Sequence, residues 1–223
     1  MTGINTVIDI TAPKVFIGLL IGGSIPFLFS SLTIRAVGRA ASKVIVEVRR
    51  QFAEIKGLWQ GKADPDYAAC VKICTEAAQK ELLPLGVIAI LSPIIVGLVL
   101  HEEALGGFLA GIILTGQLLA VFMATSGAAW DNAKKSVEEG QFGGKGSEAH
   151  KSSVIGDTVG DPLKDTSGPA LNPMIKVINL IALLIAPTII LYQTITWTSA
   201  LAVIILIAIV GVALWYSKKE AYG

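Results

Sequence analysis

Five apolar stretches separated by polar ones dominate the hydropathy pattern of the chain. They cover residues about 14–34, 82–100, 105–130, 166–192 and 198–216. Each is close to the roughly 20 mostly apolar residues that cross the hydrocarbon core of a bilayer. None has the two-residue alternation of a barrel strand, and a single spanning segment satisfies its own backbone only as a helix. The pattern predicts an all-α integral membrane protein with five transmembrane helices in a single domain, residues 1–223.

The composition supports this class. The chain is 53% hydrophobic and 16% charged, with a mean hydropathy of +0.67, whereas soluble domains are about 45–50% apolar and about 25% charged. The net charge of +1 provides no global field that would attract nucleic acid. Cys70 and Cys74 are interpreted as small helix residues, because a structural zinc site needs more ligands than these two.

The basic residues predict which side of the membrane each connection faces. Nine lysines and arginines lie between Arg35 and Lys80 and six between Lys134 and Lys176, whereas Lys14 lies at the other side. Short cytoplasmic loops carry such an excess. We therefore expect cytoplasmic loops at 35–80 and 136–156 and a cytoplasmic C-terminus. The N-terminus and the turn "HEEALGG", with His101 as an interfacial residue, then face outward.

The connections differ in their local signals. Residues 34–52 keep a helical period, so the first span is expected to continue as a helix into the cytoplasm. Asp64 followed by Pro65 fits an N-cap and first helical position of the next helix. Small residues that permit close helix contact occur in spans one and three: Gly18, Gly22, Gly23, Gly107 and Gly111.

The loop before span four contains "GGKGS", which fails the phosphate-loop pattern because Gly146 follows Lys145. It is interpreted as a flexible connection, with His150 as a surface residue. After it, Asp157, Asp161 and Asp165 recur every four residues and would share one helix face. Since Pro162 is tolerated only in a first turn, either the helix starts close to Asp157, or Asp161 caps it and Asp157 reaches in from the loop.

A second charged cluster closes span three. Asp131, Lys134 and Lys135 sit one turn apart, and the loop joining spans three and four brings both clusters into the same cytoplasmic layer. Carboxylates this close need cations to stay ionised, Mg²⁺ takes oxygen ligands, and lysines bind phosphate oxygens. The combination indicates phosphoryl-transfer or phosphoanhydride chemistry. A solvated, salt-bridged helix end is the alternative.

Lys176 lies eleven residues beyond Asp165, about 16 Å along a helix. An ionisable residue at that depth indicates function unless it extends to the surface. Arg35 and Arg39 lie at the boundary itself, where each either anchors its helix or pairs with an acid inside the bundle.

Several of these segments together resemble a known family. "GAAWDNAKKSVEEG", "GGKGSEAHKSSVIGDTVGDPLKDTSGPALN", "PKVFIGLL", "VEVRRQF" and "PDYAACVKI" resemble the C-terminal part of the membrane-bound, ion-pumping inorganic pyrophosphatases, over residues 9–187. The resemblance implies a bundle of about sixteen membrane helices, working as a homodimer in a bacterial or archaeal inner membrane. It also implies Mg²⁺-dependent hydrolysis of pyrophosphate at the cytoplasmic face, with transport of H⁺ or Na⁺ and with K⁺ as a possible activator.

The resemblance carries roles to individual residues. It implies that Asp131, Asp157, Asp161 and Asp165 hold Mg²⁺, and that the last three are also catalytic. Lys134 and Lys164 would bind pyrophosphate, and Lys176 would belong to an ion gate below the site.

Two departures from the family qualify this expectation. The chain is shorter than a complete pump, so the resemblance implies a missing N-terminal portion and no competence of the isolated chain. The last span, 198–216, and Pro173 lie outside the shared pattern. Two other functions stay open: a cation carrier or channel whose acids bind the transported ion, and a non-catalytic membrane subunit. Lysines among the acids favour a phosphate site over a cation path.

Overall fold

The computed structural model describes residues 8–191 and 197–219, almost all of them helical. The main helices are α1 (Pro13–Glu54), α2 (Tyr67–Glu138), α3 (Glu148–Asp161), α4 (Gly168–Leu191) and α5 (Trp197–Lys219). A short 3₁₀ turn (Gln141–Gly143) precedes α3, and a π-helical segment (Pro162–Ser167) joins α3 to α4. The predicted all-α class is confirmed.

Four stretches are long and apolar enough to cross a membrane: Pro13–Glu54, Tyr67–Glu138, Glu148–Leu191 and Trp197–Ser217. The count differs from the predicted five because the second and third predicted spans fall in one 72-residue helix, α2. That helix is interrupted at His101, where φ is 69° and ψ is −173°.

The break at His101 reverses the direction of the chain, as the contacts of α1 show. Arg39 pairs with Glu81, and Gln51 with Asp66, so the first arm of α2 (67–100) runs antiparallel to α1. The second arm (102–138) runs parallel to α1, because the contacts of its residues 104 and 108 fall on α1 residues 18 and 22 respectively. The two arms of α2 therefore form a helical hairpin.

The second arm of α2 is the centre of the packing. A Cβ on Gly18 would lie 2.1 Å from the Ala104 carbonyl oxygen, and one on Gly107 would lie 2.3 Å from that of Val15. The predicted role of these glycines in close helix contact is confirmed. On the other side, α4 packs antiparallel to the same arm, and fully buried apolar side chains fill both interfaces, among them Phe108, Ile112, Leu171 and Ile178.

Helix α1 continues without a break to Glu54, which confirms the helical extension predicted over residues 34–52. The N-cap predicted at Asp64 is wrong. Asp66 caps α2 through its Oδ1, which accepts the Ala69 N–H at 3.0 Å. Pro65 favours an extended conformation for the residue before it, and the Gln51 side chain fixes Asp66 by bonding both its N–H and its carbonyl oxygen at 2.9 Å.

Both predicted starts for the helix after the glycine-rich loop are also wrong. Helix α3 begins at Glu148, and the Ser147 hydroxyl caps it by accepting the His150 N–H at 3.1 Å. Pro162 lies inside a continuous helical stretch rather than in a first turn. It is accommodated because the wider π turn that begins there relieves the clash of a proline ring with the carbonyl four residues earlier. The connection from α2 is thus limited to residues 139–147.

Candidate functional site

Small residues bring the end of α2 against α3. A Cβ on Gly127 would lie 2.6 Å from the Gly160 carbonyl oxygen, and one on Gly156 would lie 2.8 Å from the Trp130 ring. The two backbones are therefore in direct contact, and the helices run antiparallel. This contact places the charged residues at the end of α2 opposite those of α3 and the π segment.

Lys164 is the hub of the resulting cluster. Its Nζ lies 2.8 Å from Asp131 Oδ2, 2.8 Å from Asp161 Oδ1 and 3.9 Å from Asp157 Oδ1. Its side chain is 18% exposed. One ammonium group from the π segment thus contacts carboxylates that belong to both helices.

A second lysine completes the cluster from α2. Lys134 Nζ hydrogen-bonds Asp157 Oδ2 and lies 3.7 Å from Asp131 Oδ1. Lys135 Nζ adds a contact to Asp131 Oδ2 at 3.1 Å. Asp157 is the most enclosed acid, with a side chain only 9% exposed, and its Oδ1 accepts no hydrogen bond from the described residues.

These contacts fix the charge state of the cluster, whose members lie outside the predicted apolar spans 105–130 and 166–192. Hydrogen bonds from Lys164 and then Lys135 lower the pKa of Asp131 to about 2. Hydrogen bonds to Asp131 and then Asp161 raise the pKa of Lys164, and the bond to Asp157 raises the pKa of Lys134. All three groups are therefore fully charged at neutral pH.

The predicted residues are not all brought together. The cluster joins Asp131, Lys134, Asp157, Asp161 and Lys164. Asp165 is exposed and has no ion pair or hydrogen bond within the described ranges. Lys176 is also exposed, on the face of α4 that points away from α2, with no charged partner among the residues described.

The residues do not by themselves fit a metal ion. Among residues 8–191 and 197–219, no group of three or more acidic, histidine or cysteine side chains is arranged to hold one. The space between the carboxylates is taken by lysine ammonium groups. Three of the four aspartates predicted as Mg²⁺ ligands, Asp131, Asp157 and Asp161, therefore form an ion-pair cluster here, while Asp165 lies outside it. Further ligands would be needed for a metal site.

His150 is not the surface loop residue that the sequence predicted. It lies in the first turn of α3, where its Nε2 is 3.2 Å from Glu138 Oε1 and its Nδ1 accepts the Gly146 N–H at 3.2 Å. The pair closes the 139–147 connection beside the cluster. The sequence signal that was missed is the cap at Ser147, which starts the helix nine residues before the first acid of the stripe.

What the cluster can do chemically follows from its donors. Two ammonium groups from different elements face one volume, each held by carboxylates rather than by solvent. Lysine ammonium groups in such a setting bind phosphate oxygens, and neighbouring carboxylates can accept protons.

Comparison with known proteins identifies the family. The family model for "Inorganic H+ pyrophosphatase" matches residues 2–185. The chain belongs to this family. A "K(+)-insensitive pyrophosphate-energized proton pump" of Chloroflexus aurantiacus is 64% identical over 214 residues, which are 96% of this chain and 28% of that protein. The pump of the same name from Streptomyces avermitilis is 51% identical over 97% of this chain and 28% of its own length.

A sodium pump is also among the relatives. A "Putative K(+)-stimulated pyrophosphate-energized sodium pump" of Bacteroides thetaiotaomicron is 55% identical over 174 residues, covering 78% of this chain and 24% of that protein. This member of the inorganic H⁺ pyrophosphatase family is thus an integral, multi-pass membrane protein that spans about 28% of the length of its first relatives. The Chloroflexus match is too long to omit α5, so the last span, which fell outside the resemblance, is shared with that pump.

Proposed function

We propose that this chain forms part of a pyrophosphate-energised ion pump, in which its lysine and aspartate cluster helps to bind and hydrolyse Mg²⁺-complexed pyrophosphate. The observation that carries the proposal is the convergence of Lys134 and Lys164, from two elements, on the same two carboxylates, Asp131 and Asp157. The names of the relatives support the choice of pyrophosphate as the anion.

In this proposal the lysines exchange partners when substrate arrives. Lys134 and Lys164 turn from the carboxylates to the phosphoryl oxygens and neutralise their charge. A water oxygen bonds to one phosphorus atom while the bridging P–O bond breaks, a proton of the water passes to an aspartate, and two phosphate ions result. Asp157, Asp161 and Asp165 are the proposed catalytic acids.

The proposal includes Mg²⁺, on the condition that groups outside this chain also bind it. Mg²⁺, when bound, would supply charge neutralisation at the pyrophosphate oxygens. Because Asp131, Asp157, Asp161 and Asp165 do not form a metal site by themselves, we propose that they contribute ligands only together with groups outside this chain. Isolated, the chain is then expected to be inactive.

The proposed architecture of the pump also requires helices outside this chain. We propose that each arm of α2 crosses the membrane, which gives five spans, and that they complete a bundle of about sixteen helices in a homodimeric pump of a bacterial or archaeal inner membrane. The reversal at His101 supports two crossings by α2. The connections at 55–66 and 139–147, the cluster and most of the basic residues then lie on the cytoplasmic side.

The proposed ion is H⁺, without dependence on K⁺. The support is that the Chloroflexus and Streptomyces avermitilis relatives, each aligned over more than nine-tenths of this chain, are named K(+)-insensitive proton pumps. Na⁺ with K⁺ activation is the second candidate, favoured by the Bacteroides relative. Lys176, exposed on the free face of α4, is the proposed gate residue and would pair with an acid outside this chain.

The test is to co-express this chain in membranes with the portion of the Chloroflexus aurantiacus pump that does not match it. Mg²⁺-dependent pyrophosphate hydrolysis and ion uptake are then measured for the assembled protein. Asp161→Asn and Lys164→Ala are expected to abolish both. Lys151→Ala should change neither, because the exposed Lys151 side chain pairs with Glu148 alone among the described residues.

Each alternative has its own outcome in this experiment. Full hydrolysis in Asp161→Asn and Lys164→Ala would overturn the site assignment and favour a non-catalytic subunit. Cation transport without any pyrophosphate hydrolysis would indicate a carrier or channel. Hydrolysis without transport in Lys176→Ala supports the gate, and unchanged transport contradicts it.

A further inference from the structure

An open apolar groove runs along the side of the bundle, between α1, the first arm of α2 and α4. Its volume is about 560 Å³. Much of its wall consists of small side chains from all three helices, including Ala36, Ala40, Ala77, Gly86, Ala89 and Ala170. Helix backbones approach each other closely in membranes where such residues line the contact.

The length of the groove suits a helix. On α1 it extends from Phe29 to Ala40, and on α2 from Cys74 to Ile90. At 1.5 Å per residue these stretches are about 16 and 24 Å long, which is more than half of the roughly 30 Å hydrocarbon core.

An ion pair lies at one end of the groove. Arg39 Nε and Nη2 donate to the two carboxylate oxygens of Glu81 at 2.8 and 2.5 Å, and Glu81 lines the groove. Because Glu81 neutralises the guanidinium, this part of the wall presents no net charge that would attract an anionic lipid headgroup.

We propose that this groove seats a transmembrane helix from the portion of the pump that lies outside this chain. The occupant would be an apolar helix with small residues at the seam. The chain spans about 28% of its relatives' length, so the rest of the pump has many helices to place. The inference rests on the proposed function, because it assumes assembly with that portion.

The two cysteines provide a direct probe, because they lie one turn apart on α2 and Cys74 lines the groove whereas Cys70 does not. Cys74 is exposed and lines the groove, whereas Cys70 lies toward Gln51, with 3.9 Å between its Sγ and Gln51 Nε2. In membranes, the Cys70→Ala variant retains Cys74 and reports on the groove. The Cys74→Ala variant retains Cys70 and serves as the control. Labelling rates with N-ethylmaleimide are measured for the chain alone and after co-expression with the non-matching portion of the Chloroflexus pump.

We expect Cys74 labelling to slow at least about tenfold on assembly, a protection that corresponds to about 1.4 kcal/mol, while Cys70 labelling stays unchanged. Equal labelling of Cys74 with and without the second portion would overturn the inference. So would full protection of Cys74 in the chain alone, because lipid would then already fill the groove.

Substitutions on α1 test the same surface without cysteine chemistry. Ala36→Leu projects a larger side chain into the groove, and Ala41→Leu makes the same change at an exposed position outside its wall. Only Ala36→Leu should reduce co-purification of the two portions. Equal co-purification of both variants, or none with the unaltered chain, contradicts the inference.

Measuring pyrophosphate hydrolysis on the same samples separates the two proposals. Hydrolysis with unprotected Cys74 overturns the groove assignment and leaves the proposed function standing. Protection of Cys74 without hydrolysis supports the groove and counts against the proposed function.

Discussion

Replacing Gly22 with alanine is the sharpest test of how this chain packs. A Cβ at Gly22 would lie 2.0 Å from the Phe108 carbonyl oxygen, whereas ordinary contact begins at 3.4 Å. The backbones of α1 and the second arm of α2 would have to separate by about 1.4 Å. Local relief is blocked, because the backbones are equally close at Gly18, one turn before, and at Gly111, across the seam, where an added Cβ would lie 2.1 and 2.2 Å from carbonyl oxygens.

The magnitude follows from two opposing terms. Overpacking a close-packed contact costs about 1–3 kcal/mol, and replacing a helical glycine by alanine returns about 0.5–1 kcal/mol. Because the atom met is backbone rather than a flexible side chain, we expect the upper part of the range and a net loss of about 1–2 kcal/mol. Gly38→Ala, on the same helix with nothing within 4 Å, lacks the first term and should stabilise the protein.

The assay is reversible unfolding in mixed micelles by titration with sodium dodecyl sulfate, followed by circular dichroism. The free energy of unfolding should fall in Gly22→Ala and rise or stay level in Gly38→Ala. Both variants make the same glycine-to-alanine change. Opposite signs of the change in unfolding free energy therefore separate the effect of the helix contact from that of helix propensity. If Gly22→Ala is as stable as Gly38→Ala, the parallel packing of α1 on the second arm of α2 is wrong.

Three further perturbations follow from the backbone and the cluster. His101 occupies a conformation almost restricted to glycine, which costs about 1–3 kcal/mol, so His101→Gly should raise the unfolding free energy in the same titration; a fall would refute the turn. A Cβ on Gly127 would lie 2.7 Å from Lys164 Cβ, so Gly127→Ala should reduce hydrolysis by the assembled pump at least about tenfold, and wild-type turnover would contradict this. The Asp131 ion pairs stabilise the fold fully above pH 3.8, the usual pKa of that residue, and this stabilisation is lost as pH falls toward 2. The pKa of Lys164 is raised, so its ion pairs stabilise the fold fully below pH 10.5, its usual pKa, and this stabilisation is lost at higher pH. The melting temperature of the wild type should therefore be level between pH 5 and 9. In Lys164→Ala the acid-induced fall of the melting temperature should begin at a higher pH than in the wild type; identical profiles would exclude this coupling.

Much of the packing could be predicted from sequence because short-range signals specify it. The glycines at 18, 22, 107 and 111 indicated close helix contact, and those pairs form the central seam. The approach of the charged cluster at the end of α2 to the one on α3 also followed from local information. Two helices joined by a short connection run antiparallel, so residues at its two ends come together.

The features that sequence missed depend on long-range contacts or on single residues. Arg39 could anchor a helix or pair with an acid, and only the antiparallel packing of α1 on α2 selects Glu81, 42 positions away. The hydropathy pattern predicted a turn at "HEEALGG", where the chain reverses, but it did not indicate that a histidine would adopt the positive φ of 69°. Pro162 suggested a helix start, but the π segment absorbs it.

The charge inventory of the cluster was visible in the sequence, but its pairing was not. Regular spacing suggested that Asp157, Asp161 and Asp165 act as one stripe. Neighbouring lysines lie only opposite its first part, so the exposed fraction of the side chain rises from 9% at Asp157 to 48% at Asp161, and Asp165 is free of ion pairs among the described residues. Which acids are neutralised by lysine depends on the register of two helices, which periodicity alone does not specify.

The most direct measurement of the central claim is pyrophosphate binding by the assembled pump. Isothermal titration with Mg²⁺-pyrophosphate is carried out on wild type, Lys134→Ala, Lys164→Ala and Lys151→Ala. Hydrogen bonds to charged groups contribute about 1.5–3 kcal/mol, so Lys134→Ala and Lys164→Ala should each raise Kd at least about tenfold while Lys151→Ala binds normally. Wild-type affinity in both cluster variants would contradict the convergence of these two lysines on one diphosphate.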